Sequence, residues 1–276
     1  MAQKKISILG CGWLGLALGE HLVRQGYQVK GSTTSAEKQE RLAAVGIAPY
    51  LLRLNPWVHG NEVADFFQSD VLFLNIPPGR RRPDVETFFV KQIKSLLKEL
   101  HYGSIDFVVF ASSTSVYPNL NTVVVEDDVG KAKLWSPTGR ALLMAERYLL
   151  GDTHFDTTVL RFGGLYGYER QLGRFLSDRK EVKNGEASVN LVHRDDCIAV
   201  VEAIIRKDVR DEVFNVCSDE HPTRRTLYTS HAERLGLPSP VFADDGAPSF
   251  KIVDNSKLKE RLDFRFRYPD PLDDAP

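Results

Sequence analysis

Cysteine is scarce in this chain and does not cluster: the three cysteines are Cys11, Cys197 and Cys217. An odd count without a CxxC pair argues against a disulfide framework or a zinc module and fits a reducing compartment. An excess of charge of either sign is also lacking. Lysine and arginine number 36 and aspartate and glutamate 37, leaving a formal net charge of -1. So balanced a chain creates no strong field, and neither nucleic acid nor an anionic membrane is an expected partner. No apolar run approaches the roughly 18 residues that cross a bilayer. Met1-Ala2-Gln3-Lys4-Lys5 leads straight into an apolar strand, without a signal-peptide region and cleavage site, so the expected location is cytoplasmic. Internal repeats, low-complexity tracts and an obvious linker are missing as well.

What remains is an ordinary globular composition, 42% hydrophobic and 26% charged over 276 residues. That length suits one large α/β domain or a domain with a smaller lobe. Short apolar runs alternate with amphipathic stretches. Lys5 to Leu9, Tyr27 to Lys30, Ile47 to Leu54, Val71 to Ile76, Asp106 to Ala111 and Thr157 to Phe162 read as strands. Leu14 to Arg24, the stretch from Thr34 to Gly46, Val63 to Gln68, Pro83 to Leu100 and Thr138 to Leu150 read as the helices between them. Thr34 and Glu37 have the spacing of a capping box. The succession predicts an α/β fold, a Rossmann-type doubly wound parallel sheet with helices on both faces. After Phe162 the pattern becomes irregular, and Gly163 to Ala187 is glycine-rich and charged. The expected division is a dinucleotide-binding domain over 1–162 and a smaller C-terminal substrate lobe over 163–276. Segments near 190–217 are expected to return to the first domain.

The sharpest motif is Gly10-Cys11-Gly12-Trp13-Leu14-Gly15, a GxGxxG placed between a strand and a helix. Gly10 permits the tight turn, Gly12 lets backbone approach a pyrophosphate, and Gly15 lets helix and strand pack closely. The pyrophosphate would rest on the helix N-terminus, where unpaired N–H groups and the dipole favour an anion. An NAD-preferring site carries an acid about 20 residues further on. Here Lys30-Gly31-Ser32-Thr33-Thr34-Ser35 offers hydroxyls and no carboxylate before Glu37. Ser32, Thr33 and Lys38 are therefore candidates for a 2′-phosphate, and NADP(H) is favoured with NAD(H) as the other choice. No arginine stands in this stretch to sharpen the preference. Pro77, after the fourth strand, is expected to shape the wall beside the nicotinamide or ribose.

Three further segments carry a family resemblance. Phe110-Ala111-Ser112-Ser113-Thr114-Ser115-Val116-Tyr117 is similar to the strand-end catalytic serine motif of the extended short-chain dehydrogenase/reductase superfamily, which holds nucleotide-sugar epimerases, dehydratases and reductases. Leu160-Arg161-Phe162-Gly163-Gly164-Leu165-Tyr166-Gly167 resembles its LRxxxxYG segment, and Val192-His193-Arg194-Asp195-Asp196 its HxxD segment. The resemblance spans about residues 5 to 217 and implies that Ser113 takes the place of the catalytic serine or threonine. The superfamily's Tyr-x-x-x-Lys pair sets both side chains on one helix face and lowers the phenol's pKa from about 10 for proton exchange. Aligned on Gly139 and Glu146, the tyrosine becomes Thr138 and the lysine Leu142. The standard proton relay is therefore absent. GxGxxG in place of GxxGxxG is a second departure. Both resemble the atypical branch of the superfamily, and most of all its YeeZ-like members.

The resemblance implies an NADP(H)-dependent oxidoreductase or epimerase-like enzyme for a small polar substrate, a nucleotide-sugar or a carbonyl compound. Ser113 would orient an oxygen, and Tyr166 or water would supply the proton that Thr138 cannot. The rival expectation is a non-catalytic NADP(H)-binding sensor or scaffold. A homodimer stays open, and no metal site is expected. Tyr117 is a second replacement acid, although a packed aromatic is favoured for both tyrosines. Arg140, and the Arg80-Arg81-Arg82 run, are candidate anion contacts against a reading as solvated arginines. Asp196 is expected to cap the helix that follows it, with His193 packed below.

Overall fold

Continuous apolar runs form the central strands because helices cover a parallel sheet on both faces. In chain order the elements are β1 (Lys5–Leu9), α1 (Trp13–Arg24), β2 (Gln28–Thr33), α2 (Glu37–Ala44), β3 (Ala48–Leu54), β4 (Val58–Gly60), α3 (Val63–Phe66), β5 (Val71–Leu74), α4 (Val85–Tyr102) and β6 (Phe107–Ser113). There follow β7 (Val123–Val124), α5 (Pro137–Leu150), β8 (Asp156–Phe162), β9 (Gly164–Tyr166), α6 (Leu172–Phe175), β10 (Leu191–His193), α7 (Arg194–Lys207), β11 (Val213–Val216), α8 (Arg224–Arg234), β12 (Ile252–Val253) and α9 (Ser256–Leu262). They are taken from a computed structural model, which describes residues 4–79, 81–130, 133, 136–244 and 246–273.

Eight strands make one sheet in the order β11-β8-β6-β5-β1-β2-β3-β4. The pairs β1–β2, β1–β5, β2–β3 and β5–β6 are parallel, and β4 runs antiparallel to β3. Chain order reverses between β1 and β5, the switch point where doubly wound sheets bind ligands beyond the strand C-termini. The registers Leu9↔Leu74 and Leu74↔Phe110 bring the ends of β1, β5 and β6 to one level. This is the Rossmann-type sheet that the sequence pattern predicts. Leu14, Leu18 and Leu22 form the buried stripe of α1, spaced four apart so that one helical face meets the sheet.

The chain divides into two compact units: 1–116, 135–160 and 201–213 in the first, and 117–134, 161–200 and 214–276 in the second. The sequence reading places a single boundary at 162 with a return near 190–217. The segment 117–134 joins the second unit instead, where β7 pairs in parallel with β12 through Val123↔Ile252 and Val124↔Val253. So distant a pairing leaves no local pattern in the sequence.

Two local expectations need correction. β2 continues to Thr33, three residues past Lys30, because it pairs with β3 as far as Thr33↔Leu51. The capping box of Thr34 and Glu37 does not form: α2 starts at Glu37, its cap residue is Ala36, and no side chain caps it among the described residues. The Thr33 hydroxyl bonds with Ser35 instead, 3.3 Å from its N–H. In the second unit, α7 begins at Arg194 rather than at Cys197. Asp196 is therefore not its cap. Its two carboxylate oxygens accept the N–H groups of Arg267 and Tyr268 at 2.8 and 3.0 Å.

Candidate functional site

The glycine turn at the switch point is built by steric demand on every side. Gly10 has φ +109°, and a Cβ there would lie 2.4 Å from the Asn75 carbonyl oxygen. A Cβ on Gly15 would lie 2.3 Å from the Gly10 carbonyl oxygen, so the first turn of α1 packs directly onto the loop. Gly12 is different: a Cβ there meets nothing within 4 Å, and the residue is exposed. The turn thus leaves open space at the one glycine expected to face a ligand. Gly12 is the cap residue of α1; among the described residues no side chain caps the helix, and its first turn carries no acid. Amide groups and dipole at such an end favour an anion. Trp13 and Leu14 lie in this first turn, Leu14 buried and Trp13 half-buried.

The turn is braced from both neighbouring strands. Gly10 N–H donates to the Ser32 hydroxyl at 2.9 Å, and Cys11 N–H to the Ser32 carbonyl at 3.0 Å. Asn75 Nδ2 donates to the Gly10 carbonyl at 3.0 Å, and Asn75 N–H to Leu9 O at 2.9 Å. Ser32 is buried and already bonded to Gly10, so its side chain holds the turn. Thr33 is buried, while Lys38 on α2 and Pro77 beyond β5 are exposed. Cys11 is half-buried, its sulfur packed over Gly31 where a Cβ would come within 2.8 Å, and burial pushes its thiol up to about 12.

Sequence reasoning missed two residues here. Asn75 was hidden because an asparagine at a strand end reads as a turn residue. Arg53 was hidden because it arrives from β3: its Nη2 donates to the Thr34 carbonyl at 3.3 Å, which sets an exposed guanidinium beside the loop after β2. The neighbouring strand thus brings an arginine beside a stretch that has none of its own. Of the Arg80–Arg82 run, the described contacts are those of Arg82. Arg82 is paired to Asp84 through Nε and Nη2 and lies over the Phe88 ring at 3.7 Å, and Arg80 lies outside the described residues.

At the end of β6, alternation along the strand turns neighbouring serines apart. Ser112 is buried and donates to the buried carboxylate of Glu146 on α5. Ser113 is half-buried, and its hydroxyl accepts the Ser115 N–H at 3.2 Å. The Ser115 hydroxyl is buried and makes no hydrogen bond within the described residues. Ser136 caps α5 by accepting the Gly139 N–H at 3.1 Å. Thr138 is half-buried in the first turn, and Leu142 and Glu146 follow at intervals of four on one face. Leu142, aligned above with the lysine of the Tyr-x-x-x-Lys pair, is 3% exposed and packed among apolar neighbours. Arg140 is paired with Glu86 of α4, Nε to Oε2 at 3.0 Å.

The remaining candidates lie in the second unit. Tyr117 is buried in a polar network: its hydroxyl donates to Asn215 Oδ1 at 2.7 Å and accepts from Arg161 Nη1 at 2.7 Å. Arg161 also reaches the Glu126 carbonyl at 2.9 Å, and Glu126 Oε1 accepts the Asn215 N–H at 2.8 Å. Tyr117 and the motif arginine therefore hold this unit together. Tyr166 is buried and meets the edge of the His193 ring at a centroid distance of 5.2 Å. His193 lies against Tyr268 at 3.8 Å, and its Nδ1 accepts the Asp195 N–H at 3.2 Å. A cavity of about 280 Å³ within this unit is lined by Tyr166, Tyr168, Arg170, His193, His231 and Tyr268, among others. Burial, together with the charge of Arg194, holds the Arg170 guanidinium below its ordinary pKa.

Comparison with known proteins agrees with this architecture. No family model matches the chain. Protein YeeZ of Escherichia coli strain K12 is 33% identical over 273 residues, 98% of each chain. UDP-glucose 4-epimerase of Thermotoga maritima, solved with UDP-glucose, superposes with a TM-score of 0.78 at 19% identity, over 95% of this chain and 94% of that one. A short-chain dehydrogenase/reductase superfamily protein of Agrobacterium tumefaciens with bound NAD gives a TM-score of 0.74 at 20% identity, over 95% and 92%. These two share the fold.

Proposed function

The chain belongs to the YeeZ family, and from that premise we propose that it is an NADP(H)-dependent oxidoreductase or epimerase-like enzyme of atypical short-chain dehydrogenase/reductase type. The observation that carries the proposal is the opening at Gly12, where a side chain would meet empty space beside an uncapped helix end. Gly10, Cys11, Gly12, Trp13, Leu14 and Gly15 would hold the pyrophosphate. Thr33, Lys38 and the Arg53 guanidinium would face the 2′-phosphate, with Ser32 fixing the turn beneath them. Pro77 would border the ribose or nicotinamide. A bound nicotinamide supplies hydride transfer. Ser113 would hold the reacting oxygen by hydrogen bonding, and water would exchange its proton. The substrate class we favour is a nucleotide-linked sugar, the kind of ligand named for the Thermotoga epimerase, or a small carbonyl compound.

The test is calorimetric titration with NADPH and NADH. Gly12→Val should abolish binding of both while the melting curve stays close to wild type, because valine occupies the pyrophosphate's approach and its Cβ meets no atom within 4 Å beyond the neighbouring residues. Undiminished affinity for both would remove the turn from the cofactor site. One observation favours the alternative of a non-catalytic sensor or scaffold: Thr138 and buried Leu142 replace the catalytic pair. Turnover on a nucleotide-sugar and carbonyl panel separates the two readings.

A further inference from the structure

We propose that His101, Asp152 and His154 bind a divalent transition-metal cation of the zinc class on the first unit. His101 stands in the last turn of α4, and Asp152 and His154 in the connection from α5 to β8. Asp152 Oδ2 lies 2.8 Å from His101 Nε2, and Oδ1 lies 3.1 Å from His154 Nδ1. One ligand atom from each of the three residues falls within 4.8 Å of the others, the one such group among the described residues.

Ions of this class sit about 2.0–2.1 Å from imidazole nitrogen and carboxylate oxygen, which spaces neighbouring ligand atoms roughly 3.0–3.4 Å apart. The two N···O separations already approach that spacing. Asp152 is a fixed anchor: its side chain is 9% exposed, and Oδ1 also accepts the His154 N–H at 3.0 Å. The two imidazoles are stacked, with ring centroids 3.9 Å apart and an interplanar angle of 25°. The C-terminal ends of α4 and α5 adjoin the cluster and add the negative end of each helix dipole. To bind, His101 keeps its proton on Nδ1 and His154 on Nε2, which frees the two facing lone pairs. Two imidazoles and one carboxylate suit zinc and its neighbours better than magnesium, which prefers oxygen ligands. His154 is 59% exposed, leaving the remaining coordination positions to water and the ion exchangeable.

The cluster adjoins the N-terminal ends of β6 and β8, whereas the glycine turn follows the C-terminal end of β1. Metal binding is therefore measured without cofactor or substrate. Full-length, tag-free, chelator-treated protein is titrated calorimetrically with zinc chloride. The expected result is one ion per chain, with affinity at least about tenfold weaker in His154→Ala and in Asp152→Asn. Cobalt chloride should give a ligand-field absorption band that His154→Ala removes, and magnesium chloride should give no heat of binding. Should Asp152→Asn fail to fold, His154→Ala alone decides, because its exposed ring contributes little packing. No zinc binding by the wild type, or equal zinc affinity in wild type and His154→Ala, would overturn the proposal.

Discussion

Leu142 stands at the position that the sequence resemblance aligns with the lysine of the short-chain dehydrogenase/reductase pair, and it is buried in the packing around α5. An ammonium introduced there would be desolvated, one helical turn from a glutamate already bonded to Ser112. On the proposed enzyme reading, proton chemistry runs without this pair. Thr138→Val removes a weak hydroxyl acid and should lower turnover by less than about tenfold, well under the ~10²–10⁴-fold typical of losing a general acid–base group. Ser113→Ala should cost more. Rates on a responsive substrate, with cofactor affinity measured alongside, check the order; Thr138→Val falling to zero with unchanged folding would reverse it. Arg53 carries a separate expectation. Arg53→Ala should weaken NADPH about tenfold, the loss of one charge-assisted contact, and leave NADH nearly unchanged. Dissociation constants at one salt concentration decide this, since the phosphate interaction is screened.

Among the elements, the β1-turn-α1 unit was the most legible in the sequence, because everything that makes it lies within a few residues. Gly10, Gly12 and Gly15 could be given roles from spacing alone, and the structure adds the distances. Tertiary contacts stayed hidden. Thr34 and Glu37 have the right spacing for a capping box, yet pairing with β3 holds the chain extended through Thr33 and α2 starts too late to use it. Asp196 looked like a helix cap because acids near helix starts usually are. Its partners lie 71 and 72 residues away, beyond the reach of local pattern. The consequence is measurable. Asp196→Ala strands two backbone N–H groups of the second unit and should lower stability by about 3 kcal/mol, to be read from denaturant midpoints. A loss below about 0.5 kcal/mol, the range of ordinary surface substitutions, would show that the C-terminal segment is held by other contacts.

At the scale of the whole molecule, two of the three thiols lie within the core and the third, Cys11, is half-buried. Cys197 and Cys217 are fully buried, and burial raises each thiol pKa, that of Cys217 to about 12, as it does for Cys11. A raised value keeps sulfur in the unreactive thiol form through neutral and mildly alkaline pH. At about pH 8, Cys197 and Cys217 of native protein should react with a disulfide reagent only as fast as the fold opens, and denatured protein should release three equivalents at once. Rapid modification of Cys197 or Cys217 in native protein would contradict their burial. The course of the chain has another outcome, for heredity rather than chemistry. The backbone passes between the two units after residues 116, 134, 160, 200 and 213. A recombination event with a single crossover anywhere between residues 117 and 213 hands on fragments of both units. Neither unit can be inherited as one uninterrupted block of gene, so lineages sharing this arrangement would diversify by point substitution more readily than by exchanging domains.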